Sequence, residues 1–196
     1  MGNRTGEVAD RLTALGDELR VLARRHPRET WTAHANLGET ARFWLRRHAL
    51  FRQLDGIIRD GAEAALDGRT EAAEFKPRLA RHLGWYLRQL EEHHWVEDHH
   101  YFPVFRRAEP RLAAGFELLE RDHDAIHAAI GGIIERANAV LAQQGAGGAA
   151  FRSDLARFRD AHVDLGRELG RHLDDEEDLV IPLILERGEP SLIGGG

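Results

Sequence analysis

The chain has 196 residues, enough for one domain around a single core, and carries 27 Lys plus Arg against 33 Asp plus Glu, a formal charge of −6. That balance argues against an electrostatic grip on nucleic-acid phosphates or anionic lipid, and the absence of cysteine removes disulfides, thiolate zinc sites, iron–sulfur clusters and cysteine nucleophiles. The unusual count is 12 histidines beside 2 tyrosines and 1 methionine, histidine being the commonest metal ligand and a base that titrates near neutrality.

Apolar residues recur at helical spacing almost throughout, with no strand alternation, so the fold class is all-α. A first helix is predicted over residues 5–25, with Val8, Leu12, Leu15, Leu19 and Leu22 on one face, halting before His26-Pro27. Residues 1–35 read as an accessory helix with its linker. The second helix spans 39–60 and ends at Asp60-Gly61. The third covers 71–100, with Pro77 in or near the first turn, where its missing N–H is tolerable, and halts near Pro103. Pro110 opens a fourth helix over 110–143, closed by QGAGGA; a fifth, 150–179, ends before Pro182. Residues 186–196, with SLIGGG, read as a flexible tail. Four long helices with short connections predict an up-down-up-down four-helix bundle over 36–185, plus the additional N-terminal helix. No apolar run approaches the ~20 residues of a membrane span, and MGNRTGEVADRLTALG lacks the apolar stretch of a secretory signal. The expectation is a soluble cytoplasmic protein with no membrane or nucleic-acid partner, whose surface allows a homodimer without demanding one.

The chain also repeats itself. HHWVEDHHYFP (93–103) aligns without gaps with HLDDEEDLVIP (172–182), pairing His93 with His172, Glu97 with Glu176 and Pro103 with Pro182. In the preceding helices His48 pairs with His123. The bundle therefore reads as two helix hairpins, each with a histidine on its first helix and an HxxxE on its second.

Residues four apart on an α-helix share a face, ~6 Å apart along the axis, so HxxxE presents an imidazole and a carboxylate to one interior point. His123 and His127 add a two-imidazole face and His48 a single one. The inventory is His48, His93, Glu97, His123, His127, His172 and Glu176. One first-row metal takes about six N/O donors at most, so seven ligands imply two metals, with two carboxylates able to bridge them and a solvent oxygen as third bridge. Arg52 stands four residues after His48 where His127 stands four after His123, so if the two HxxxE histidines serve different metals, one metal would have six ligands and the other five, leaving an open position for a small diatomic or peroxide. Of the remaining histidines, His94 and His99 read as surface or edge residues and His100 as an outer-layer group or alternate ligand. His82, His26, His34 and His162 read as structural. Trp44, Phe51, Ile126, Ile130 and Leu169 lie near ligand positions as pocket walls or plain core. Gln89, Glu168 and Asp55 are read either as acceptors for ligand imidazole N–H groups and proton relays or as solvated flank residues.

This constellation, over residues 40–183, resembles the hemerythrin and hemerythrin-like HHE family. The resemblance implies two iron ions with a bridging oxo or hydroxo group. His123, His127 and His172 would hold one iron and His48 and His93 the other, with Glu97 and Glu176 bridging. Oxygen-carrying members usually place the last carboxylate one residue later, as an aspartate, whereas here the HxxxE form selects Glu176, with Glu177 the adjacent competitor. The implied activity is O2 binding at the five-coordinate iron. Its alternatives are a di-iron oxidoreductase acting on hydrogen peroxide or nitric oxide, and an iron or oxygen sensor whose leading helix docks a partner.

Overall fold

The computed structural model describes residues 17–144 and 147–193. It is helical, with no strand among the described residues. The helices are α1 (Glu18–Arg25), α2 (Glu39–Leu66), α3 (Ala72–Val96), α4 (Phe102–Ala108), α5 (Ala113–Ala142), α6 (Ala149–Arg187) and α7 (Glu189–Ile193). A π-helical turn, Glu97–Tyr101, joins α3 to α4, and short 3-10 turns occupy Arg28–Ala33 and Pro110–Leu112. Of the predicted first helix, residues 5–16 lie outside the described residues; its remainder is α1.

Three boundaries differ from the sequence expectation. The second helix runs past Asp60-Gly61 to Leu66 because Ala62 and Ala65 keep its buried stripe going, and it stops at Gly68, whose φ of 73° suits glycine. The third helical path does not halt at Pro103. The π turn lets the Phe102 N–H reach the Glu97 carbonyl and places Pro103 in the first turn of α4, where no intrahelical N–H is required of it. The last helix passes through Pro182 to Arg187. A mid-helix proline costs about 3 kcal/mol, but Leu179, Val180, Ile181, Leu183, Ile184 and Leu185 around it are all at most 1% exposed. Each such side chain gains roughly 1.5–3 kcal/mol on full burial, so burial wins. Pro77 lies inside α3, just past its first turn, where an intrahelical N–H is missing.

The predicted tail is partly structured. Gly188, at φ 75°, closes α6 with its N–H on the Ile184 carbonyl at 2.8 Å, and α7 follows with Leu192 buried. Glu189 Oε1 accepts the Ala41 N–H at 2.9 Å, placing a carboxylate at the N-terminus of α2.

The chain divides into two compact units, each drawing a segment from all four long helices. The first comprises Met1–His48, His94–His123 and Gly170–Gly196. Its core includes Leu19, Leu22, Trp31, Trp44, Phe102, Phe105, Phe116 and the apolar run around Pro182. The second comprises Ala49–His93 and Asp124–Leu169, with Phe51, Leu54, Ile58, Phe75, Tyr86, Ile133, Phe151 and Phe158 buried.

Candidate metal centre

The buried stripe of each long helix decides which polar side chains reach the interior. On α3 it runs through Leu83, Leu87, Leu90 and His94 and continues to Glu97 in the π turn; on α5 it runs through Leu119, His123, Ile126 and Ile133. His48 on α2 and His172 and Glu176 on α6 are fully buried, and Glu97 and His94 are each 1% exposed.

Within the first unit these residues form two overlapping groups. His94, Glu97, His123 and His172 each offer a ligand atom, all within 4.8 Å of one another. His48, Glu97 and Glu176 converge to the same closeness, so Glu97 belongs to both groups. His123 Nε2 and His172 Nε2 approach to 3.2 Å, and Glu97 Oε2 lies 3.6 Å from His123 Nε2. Glu176 Oε2 stands 3.4 Å from both His48 Nε2 and His172 Nε2, between the two imidazoles. The ring of His94 stacks on that of His123 with centroids 4.0 Å apart.

The outer nitrogens explain why the Nε2 atoms face inward. His123 Nδ1–H donates to Asp98 at 2.8 Å, His48 Nδ1–H to Glu177 Oε1 at 3.0 Å, and His172 Nδ1 lies 3.8 Å from Asp122. A carboxylate on Nδ1 fixes the tautomer that leaves Nε2 as a donor to a metal and raises its basicity. Trp44 Nε1–H donates to Glu176 Oε1 at 2.5 Å and holds the carboxylate's other oxygen toward the imidazoles.

The electrostatics fit a cation. Burial, and then the neighbouring Glu176 and Asp98, hold the Glu97 carboxyl well above the usual carboxylate range, against which Arg47 acts weakly. Burial pulls His123 down despite Asp98. On His172 burial also pulls down, but Asp122 and Glu176 outweigh it and lift the imidazole. Two adjacent buried carboxylates among imidazole nitrogens are a donor set that a divalent cation neutralises and an apolar core does not tolerate.

The structure brings together His48, Glu97, His123, His172 and Glu176 of the residues selected from sequence. His93 is half-buried on α3, one turn before Glu97, at the end of the second unit, where its ring packs against Phe51 at 5.0 Å. His127 is exposed on α5 and outside both groups. Ile126 occupies the core position of that turn, three residues after His123 rather than four. The surface reading of His94 is corrected: it follows Leu90 by four residues on the buried stripe of α3 and stands in the group that lacks His127. Glu177 serves as the partner of His48. His100 is exposed, as is His99, which stacks on Trp95, so His100 does not face the centre.

The expected outer acceptors also change identity. Gln89 donates to Glu92, Glu168 is exposed, and Asp55 pairs with buried His162 at 3.2 Å within the second unit. Asp98, Asp122 and Glu177 back the imidazoles instead. The available signal was adjacency, since each stands next to a ligand-type residue in Glu97-Asp98, Asp122-His123 and Glu176-Glu177.

No helix among the described residues is long and apolar enough to cross a membrane. Comparison with curated proteins and with solved structures finds no match. The family description of the hemerythrin HHE cation binding domain matches residues 40–184, which hold every residue of both groups. On that match over most of its length, the chain belongs to the hemerythrin HHE cation-binding family.

Proposed function

We propose that this is a hemerythrin-like non-haem di-iron protein that binds O2, or a related small ligand, on an up-down-up-down four-helix bundle. The observation that carries the reading is the sharing of Glu97 by two buried ligand groups, with Glu176 between His48 and His172. His94, His123 and His172 would hold one ion. His48 would hold the other, with His93 assigned from its HxxxE spacing to Glu97. Imidazole and carboxylate donors accept Mn, Fe and Zn alike, so iron comes from the family and not from the geometry. A bridged iron pair would supply reversible redox chemistry toward a small oxidant. The chain contributes the rest: fixed Nε2 donors, two carboxylates positioned to bridge, and a buried aromatic wall from Trp44 that limits water.

A second reading, oxidation–reduction of peroxide or nitric oxide, is favoured by the three carboxylates behind the imidazoles. An anionic acceptor on Nδ1–H strengthens the donor and stabilises the oxidised metal relative to the reduced one. The test is anaerobic reconstitution with Fe(II), then optical spectra through O2 addition and removal, followed by a peroxide challenge. O2 binding predicts a visible band that disappears when O2 is removed. Irreversible oxidation with rapid peroxide consumption would replace it with the second reading, and neither response would dispose of both.

A further inference from the structure

The segment before the family domain reaches the metal centre. Arg28, in the 3-10 turn Arg28–Ala33 and outside the matched residues 40–184, grips one face of α6 with its whole guanidinium. It donates to Glu177 Oε2 at 2.7 Å, to Asp178 Oδ1 at 2.7 Å and to the Asp174 carbonyl at 2.8 Å. Its Cζ lies 5.1 Å from the centre of the Trp31 ring, and that indole is 5% exposed and donates to the His26 carbonyl. Glu177 is nearly buried, and its second oxygen accepts the Nδ1–H of His48. An unbroken path therefore runs from Arg28 through Glu177 to His48.

We infer that Arg28 is a positioning residue for the metal at His48: by fixing one oxygen of Glu177 it aims the other at His48 Nδ1 and holds Nε2 on the ion. Arg28 is 40% exposed at its side chain, so solvent and salt screen its direct field at the centre. Its leverage is the orientation of a carboxylate that cannot reorient without leaving a buried imidazole N–H unpaired. The accessory segment thus completes the centre, which a chain trimmed to the family domain would lack. The inference rests on His48 being a ligand and not on iron or O2 chemistry.

The test uses the full chain and Zn(II), which is redox-silent and accepted by these donors, titrated against a competing chelator. Groups hydrogen-bonded to a ligand are typically worth 10–100-fold in metal affinity, and Arg28 acts one bond further out. Arg28→Gln should weaken one zinc site by about tenfold, the low end of that range. Arg28→Lys, which keeps the ion pair with Glu177, should recover most of the loss. In a Glu177→Gln background Arg28→Gln should add nothing, because the path is already cut. Arg25→Gln, which removes one of the same segment's two ties to Glu186 and leaves that of His26, should leave affinity unchanged. Ring 15N spectra of the zinc-loaded protein should show His48 losing its fixed Nδ1–H signature in Arg28→Gln and keeping it in Arg25→Gln. Unchanged affinity in Arg28→Gln, an equal loss in Arg25→Gln, or an undiminished loss in the Glu177→Gln background would overturn the inference. His48→Ala separates the two levels. If it leaves zinc binding intact, the ligand assignment falls and the inference with it; if it weakens binding while Arg28→Gln does not, only the role of Arg28 falls.

Discussion

His94 and His127 show how a single helical step assigns a ligand. Both were available from sequence, and the i, i+4 rule selected His127 because it follows His123. The buried stripe of α5 advances by three at that point, to Ile126, and leaves His127 in solvent; the stripe of α3 advances by four from Leu90 and buries His94. His94→Ala should therefore reduce metal affinity by more than about tenfold, while His127→Ala should leave it unchanged, as measured by chelator competition. The reverse pattern would restore His127 to the centre. Five residues, His48, Glu97, His123, His172 and Glu176, were legible because the internal repeat and HxxxE spacing place them without knowledge of neighbouring helices. Asp98, Asp122 and Glu177 were not, because spacing along one helix cannot say which carboxylate meets an imidazole carried by another.

Local signals placed the helices correctly in kind and erred where burial overrode them. Gly61 and Pro182 are helix stops by propensity, yet each lies inside a helix whose next turn carries buried apolar side chains. Pro103 marks a real irregularity, the π turn, which also carries Glu97. At the end of α6, Arg187 donates to Glu109 at 3.0 Å, and Arg111 donates to the same carboxylate at 2.7 and 2.9 Å. Hydrogen bonds from Arg111 first, and then from Arg187, lower the Glu109 carboxyl to about 2. A carboxylate with a depressed folded-state pKa contributes stability that is present above its ordinary value, near 4.5, and is lost as the pH falls toward the depressed value. Glu109→Gln should therefore cost about 1.5–3 kcal/mol at pH 7, the scale of hydrogen bonds to a charged group. Denaturant melts at a series of pH values should show the difference from wild type vanishing between pH 4.5 and 2. A penalty that persists at pH 2 would assign the effect to packing instead of charge.

Across the whole chain, composition already pointed to a metal held by nitrogen and oxygen, since 12 histidines occur without one cysteine. The structure adds that Glu97, Asp175, Glu176 and Glu177 are all at most 4% exposed, a density of buried acid that needs cations close by. Arg28 supplies one from outside the family domain, and the centre itself calls for the others. If two metal ions share Glu97, the iron bound per chain after anaerobic saturation with Fe(II) and removal of excess reads it directly. The wild type should hold two ions per chain, and Glu97→Ala should lose both. One ion per chain, or a Glu97→Ala protein that still holds two, would contradict the sharing of Glu97.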